Sequence, residues 1–410
     1  MSSGLVVTGM GAVTPIGIGV SAYWEHLLAG VSGIGPITRF DASSLPVRIA
    51  GEVRDFDPEA YFDRSVLRGS TLFMQFALCA ALEALEMSGL EVARAPHRVG
   101  IVFGTAMGGI STISETGQQY LQSKSKKVTP HFIPSVISNM GAAQAAISFG
   151  ITGPSLTLHT ACSAGGDAML TSAMLLKAGM CDAVLVMGGE SIVCDVAVSS
   201  LAQAKALSRR NENPSEASRP FDLNRDGFVI GEGGGALVLE REECALARHA
   251  EILADFAGWA NTMDAYHITA PHPEGLGAAR CMQLALAKAG LQPSAIGYIN
   301  AHGTSTVLGD IAETKAVKAV FGDHVPAMSS TKGATGHLMG AGGITEVIAC
   351  ILSIREGWLP PTLNYEFRDP ECDLDYIPLT ARKATVDAAM SNALGFGGQN
   401  SSIVVTRHHC

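Results

Sequence analysis

Short apolar runs that stop at glycine recur along this chain, separated by longer stretches rich in alanine, leucine and methionine. The short runs read as buried strands, being too brief for helices, rich in β-branched residues and flanked by turn formers. They fall at residues 5–8, 98–103, 183–189 and 236–239, then at 252–258, 297–300, 327–330 and 403–406. Residues 5–8 lead into Gly9-Met10-Gly11-Ala12-Val13-Thr14-Pro15-Ile16-Gly17, where a tight turn is expected. A dinucleotide-binding loop fits that segment poorly, because the third glycine is misplaced, Pro15 interrupts the helix and no acidic residue closes the unit. Helical patterns cover residues 22–28, 71–88, 138–148, 164–177 and 241–250, then 277–289, 311–320 and 341–354. Residues 208–225 are polar and contain prolines, which predicts a long surface loop. Residues 228–230 and 236–239 flank the glycines of 231–235, which predicts closely approaching strands or a hairpin. Strands alternate with helices on both sides of residue 250, so an α/β fold with two related halves, 1–250 and 251–410, is expected.

Composition narrows the class. The 410 residues are 47% hydrophobic and only 16% charged, with 46 glycines, which argues for extensive burial and against disorder. A net charge of −10 disfavours general nucleic-acid binding. The nine cysteines form no CxxC pair and no cluster with histidine at ligand spacing, so neither a disulfide framework nor a zinc site is expected. No apolar run approaches membrane-spanning length and the N-terminus lacks a signal-peptide pattern, so a reducing cytoplasm is the expected location.

Candidate chemistry sits where strands end. The run Leu156-Thr157-Leu158-His159-Thr160-Ala161 stops at Cys162, and the small-residue helix 164–177 follows directly. Free N–H groups and the positive end of the helix dipole there favour a thiolate, the alternative being a buried cysteine that acts as a small hydrophobe. Strand 297–300 ends in Ala301-His302-Gly303-Thr304-Ser305-Thr306, and strand 327–330 in Thr331-Lys332-Gly333-Ala334-Thr335-Gly336-His337. Ligands in open α/β folds gather beyond the carboxyl ends of strands, so these segments are expected to converge. A lone histidine is more often structural, but two in the same setting point to chemistry. A metal site is disfavoured because the spacing is long-range and no carboxylate or second cysteine stands beside them. Nucleophilic catalysis fits better, with the cysteine taking a covalent intermediate and the histidines moving protons or donating hydrogen bonds. Lys124-Ser125-Lys126-Lys127 is a small basic cluster whose default explanation is a solvated face.

Together, Thr160-Ala161-Cys162-Ser163, Asn300 to Thr306, Ser330-Thr331-Lys332 with Thr335-Gly336-His337, and Gly395-Phe396-Gly397-Gly398 resemble the β-ketoacyl-acyl-carrier-protein synthases of the thiolase superfamily, in particular the synthase II type. Ala217-Ser218-Arg219-Pro220-Phe221-Asp222, Arg225-Asp226-Gly227-Phe228 and Asp264-Ala265-Tyr266-His267 extend the resemblance. It implies a thiolase-like fold of two related halves in αβαβα layers, without metal or cofactor. It also implies that Cys162 accepts an acyl chain from acyl carrier protein, and that malonyl-carrier protein then loses CO₂ and attacks the thioester. By the same resemblance the backbone N–H groups of Cys162 and Phe396 form an oxyanion hole, His302 and His337 donate to the malonyl thioester oxygen, and Lys332 sets their electrostatics. Thr304 and Thr306 contact pantetheine, Glu346 is a supporting carboxylate, and Arg68, Lys126, Lys127 and Lys205 meet the carrier protein, although Gly69 stands where a lysine is usual.

Departures concern the acyl pocket. Leu394 replaces an aromatic neighbour of Phe396, Leu201 a pocket phenylalanine, and Met107 occupies a tunnel position often held by other apolar residues. These put a standard saturated fatty-acyl chain in doubt, and the segment 369–376 resembles ketosynthase chains of type II polyketide systems. Two catalytic readings therefore stand: fatty-acid elongation, or a polyketide or polyene ketosynthase. A non-catalytic chain-length factor is disfavoured by the intact Cys162, His302 and His337. The resemblance implies a homodimer, or a heterodimer with a related ketosynthase-like chain.

Overall fold

The computed structural model describes residues 4–409; the extreme N-terminus and Cys410, which the signal-peptide and cysteine readings touch, lie outside the described residues. An eleven-stranded mixed sheet organises the chain, ten strands in two halves and the two-residue strand Gly17–Ile18 paired to the first of them. In the first half, β1 (Leu5–Thr14), β2 (Val99–Gly104), β3 (Ser155–Leu158), β4 (Ala183–Glu190) and β5 (Gly233–Arg241) stand in the order β3-β2-β4-β5-β1. In the second, β6 (Ala254–Met263), β7 (Tyr298–Asn300), β8 (Ala327–Ser329), β9 (Ala388–Gly395) and β10 (Gln399–Thr406) stand in the order β8-β7-β9-β10-β6. The pairing senses also correspond: β2 is parallel to β3 and β4, and β7 is parallel to β8 and β9. The remaining pairs within each half are antiparallel. The halves join where Val6 and Val7 of β1 oppose Asp255 and Ala254 of β6.

Helices cover both faces, which is why β2 and β4 read as unbroken apolar runs and not as alternating ones. Helix α1 (Leu72–Ser88) packs on β1, β4 and β5, and α3 (Leu276–Ala289) on β6 and β10. Helix α2 (Ala164–Lys177) packs on β2 and β4, and α4 (Val307–Phe321) against α3. Helix α5 (Gly342–Glu356) touches α2 and strands of both halves, and is buried without interruption from Gly342 to Ile354. A helix apolar all round belongs at the centre of a protein, so α2 and α5 form the inner layer of an αβαβα arrangement. Glycine permits their approach: a Cβ at Gly165 would lie 2.9 Å from the Gly340 carbonyl oxygen.

Three expectations are sharpened or corrected. The tight turn expected within residues 9–17 falls at Pro15-Ile16, where β1 doubles back on the two-residue strand Gly17–Ile18, and not at the glycines 9 and 11, since β1 continues to Thr14 and is buried throughout. A Cβ at Gly9 would lie 2.0 Å from the Ala84 oxygen and one at Gly11 1.9 Å from the Ala80 oxygen, so these glycines admit the backbone of α1. Residues 208–225 are irregular and 209–216 do lie at the surface, but the rest of the segment is largely interior. Ser208, Ser218, Arg219, Phe221, Asp222 and Arg225 are buried, and the charges are paired as Arg219–Asp222 at 2.9 Å and Arg225–Asp369 at 2.7 Å. Residues 228–230 make no hairpin with β5; Ile230 instead bridges in parallel to His337, tying that segment to the second half.

Candidate active site

Cys162 lies in the tight turn Ala161–Ser163 between β3 and α2. Ala161, just before it, holds a left-handed φ of 51°, a conformation that costs energy for a residue with a Cβ. Asp167, one turn into α2, secures the turn by accepting from the hydroxyls of Thr160 at 2.6 Å and Ser163 at 2.8 Å, and from the Asn261 side chain at 2.6 Å. His302 follows β7, and His337 follows the short helix Lys332–Thr335 beyond β8. The His337 Nε2 stands 3.0 Å from the Cys162 Sγ, and the His302 and His337 rings lie 5.3 Å apart and nearly perpendicular. Nδ1 of each histidine has no hydrogen-bond partner among the described residues. Gly395, at the end of β9, brings the Phe396 turn against the cysteine: a Cβ there would lie 3.3 Å from both the Cys162 and Ser163 nitrogens. The backbone N–H groups of Phe396 and of Cys162 itself favour the charged form of the sulfur. The structure therefore brings Cys162, His302, His337 and Phe396 together, with Lys332 ion-paired to Glu346 of α5 beneath them.

Burial dominates the electrostatics. It pushes the Cys162 thiol up to about 11, against the opposing pull of the Phe396 N–H and the Lys332 charge. The backbone donors do favour the thiolate, as the sequence suggests, but desolvation outweighs them. Burial, reinforced by Lys332, holds His302 and His337 well below the usual imidazole range. A neutral thiol therefore faces a neutral imidazole whose nitrogen can take a proton as sulfur becomes a nucleophile. Burial raises Glu346, and its partner Lys332 pulls it back.

Other sequence candidates are dispersed around this centre. Thr304 is buried and Thr306 half-buried, with their hydroxyl oxygens 3.1 Å apart. Leu201 packs on the apolar cluster that contains Cys162, Ala106, Val193, Phe228 and Met339. Leu394 instead packs with the cluster around Phe221, Met390 and Tyr376 in the second half. Met107 is exposed on the loop leaving β2. Arg68, Lys126, Lys127 and Lys205 are exposed as well, and the Lys126 ammonium donates to the carbonyls of Tyr120 and Leu121.

Two buried carboxylates escaped the sequence reading. Glu313 of α4 accepts from the backbone N–H groups of His302 and Gly303, both at 2.8 Å, and burial raises it to about 7. Glu190 ends β4 and accepts from loops on both sides of Cys162. The only local signal for either was an acidic residue inside an apolar stretch. Among the described residues no group of three or more His, Cys, Asp or Glu side chains could hold a metal ion, and no helix is long and apolar enough to cross a membrane.

Comparisons agree with this geometry. Residues 3–245 match the family model of the beta-ketoacyl synthase N-terminal domain, and residues 253–366 that of the C-terminal domain. A Synechocystis protein named 3-oxoacyl-acyl-carrier-protein synthase 2 is 44% identical over 407 residues, covering 98% of each chain. The solved ishigamide ketosynthase/chain length factor matches with a TM-score of 0.94 at 33% identity, covering 100% of both chains. A ketosynthase bound to the hexaketide, in complex with its type II polyketide acyl-carrier protein, matches at 0.91 and 32% identity over the same coverage.

Proposed function

We propose that this chain, which belongs to the β-ketoacyl synthase family, extends acyl thioesters carried on acyl carrier protein by decarboxylative condensation with malonyl-carrier protein. Cys162 attacks the incoming thioester, its proton leaves with the carrier thiol, and the acyl group remains on sulfur. Malonyl-carrier protein then loses CO₂. The resulting enolate attacks the Cys162 thioester, releasing 3-oxoacyl-carrier protein and a thiolate that regains a proton. His302 and His337 donate hydrogen bonds to the oxygen on which enolate charge develops, and the Cys162 and Phe396 N–H groups stabilise the tetrahedral oxyanion. Thr304 and Thr306 contact the pantetheine arm, while Arg68, Lys126, Lys127 and Lys205 meet the acidic carrier.

The carrying observation is the 3.0 Å approach of the His337 Nε2 to the Cys162 Sγ, beside the Phe396 turn that Gly395 brings against the Cys162 backbone. Cys162→Ala is expected to abolish condensation while malonyl decarboxylation survives, and His302→Ala and His337→Ala each to impair decarboxylation. Condensation by the cysteine variant at the parent rate, or parental CO₂ release from both histidine variants, sinks the assignment.

A second reading, a ketosynthase of a polyketide or polyene pathway, draws on Met107, Leu201 and Leu394 and on the ketosynthase/chain length factor neighbour. Incubation with saturated and polyunsaturated acyl-carrier proteins, followed by intact-mass analysis of Cys162, separates the two. Loading by ordinary saturated chains favours primary elongation, and their rejection favours the specialised pathway. The division into halves 1–250 and 251–410 corresponds to the repeated strand order. A cytoplasmic location fits the eight described cysteines, all of them free. A homodimer or a heterodimer with a related chain completes the reading.

A further inference from the structure

Glu190 is fully buried and its carboxylate gathers four donors. One oxygen accepts from the Ala106 N–H at 2.6 Å and the Gly340 N–H at 3.2 Å, the other from the Met107 N–H at 3.1 Å and the Thr105 hydroxyl at 3.3 Å. Thr105 to Met107 leave β2 in the first half, whereas Gly340 lies in the turn Met339–Ala341 that opens α5 in the second. These backbones touch: a Cβ at Gly340 would lie 2.5 Å from the Ala106 nitrogen and 2.6 Å from the Thr105 Cα. Beside the clamped segments lies the nucleophile. Met339, held at a left-handed φ of 46°, places its Sδ 4.0 Å from the Cys162 Sγ, and Ala106, Met339 and Cys162 share one buried apolar cluster.

We propose that Glu190 is a positioning residue that clamps these two segments across the halves, fixing the Ala106–Met339 wall along which an alkyl chain on Cys162 lies. Only the identity of that chain as an acyl group rests on the function proposed above. Three backbone N–H groups converge on one acceptor pair, and a neutral amide in its place would set its own NH₂ against one pair of donors. The wall would then part, and chains of different length would respond differently.

Alkylation of Cys162 in the full-length protein reads the wall directly, as the ratio of the rate with N-octyl iodoacetamide to that with iodoacetamide. Both rates are read on the soluble, folded fraction alone, so the ratio isolates pocket shape. Glu190→Gln is expected to change the ratio by about fivefold or more, with Glu190→Asp, which keeps the charge, between it and the parent. A Glu190→Gln ratio equal to the parent's overturns the proposal. If that variant does not fold, the Glu190→Asp ratio decides: a shift of about twofold or more supports the clamp, and a smaller one overturns it. Incubation of the parent with acyl-carrier protein is scored separately. Absence of an acyl adduct on Cys162 overturns the acyl-acceptor reading, while the alkylation ratio still decides the clamp.

Discussion

Replacing Lys332 by alanine should destabilise the protein in a way that a second substitution repairs. The Lys332 and Glu346 side chains are 2% and 4% exposed and form an ion pair under the histidines. Removing one member of such a pair leaves the other charge in a medium that solvates it poorly, at a cost of about 3–5 kcal/mol. With an unfolding entropy of about 2.1 cal/mol/K per residue, this chain loses about 0.9 kcal/mol per degree near its midpoint, so Lys332→Ala should lower Tm by about 3–6 °C. The double variant Lys332→Met/Glu346→Leu removes both charges and keeps apolar volume, and pairs replaced in this way are commonly neutral or stabilising. Its Tm should return to that of the parent. Decarboxylation should not recover with it, because the Lys332 charge that helps hold His302 and His337 neutral is still missing. Scanning calorimetry of the three proteins, with CO₂ release measured below their midpoints, makes the comparison. A Lys332→Ala midpoint within about 1 °C of the parent, or a double variant that falls as far as the single one, refutes the reasoning.

Two further outcomes follow from the same buried electrostatics. Alkylation requires the thiolate, and burial pushes the Cys162 thiol up to about 11, so the thiol form dominates at neutral pH and the thiolate fraction grows with pH. The iodoacetamide rate should rise about tenfold per pH unit between about pH 7 and 10, and a plateau already reached below about pH 8 would mean that the helix terminus wins over desolvation. Glu313→Gln leaves one backbone N–H of the His302–Gly303 pair facing an amide NH₂ in place of a carboxylate oxygen. The loss, about 1.5–3 kcal/mol for a hydrogen bond to a charged group, should lower the decarboxylation kcat by about tenfold or more, and a parental kcat would show that His302 is held by other means.

Much of this protein was legible before folding was considered. The helix over 164–177 occurs with those bounds, and the apolar runs at 98–103 and 183–189 became β2 and β4, because a segment buried on every side must be continuously apolar. Cys162, His302, Lys332 and His337 stood out because each follows a strand in a small-residue turn, a pattern local enough to be written in sequence, although β3 before Cys162 proved to be an exposed to half-buried edge strand. Other features depended on what distant segments place beside a residue. The glycines of β1 looked like a turn until the backbone of α1 lay across them. Residues 217–225 looked solvated until Asp222, Asp310 and Asp369 met Arg219 and Arg225 in the interior. Leu394 lies two residues before Phe396 yet packs with another cluster, because it shares a face of β9 with Ala388 and Met390 while Phe396 belongs to the turn beyond the strand. Local pattern records which residues prefer burial and where the chain turns. Desolvation and long-range hydrogen bonding are set by the whole assembly, so only the tertiary structure decided that Cys162 rests as a thiol and that Glu190 and Glu313 hold the loops around it.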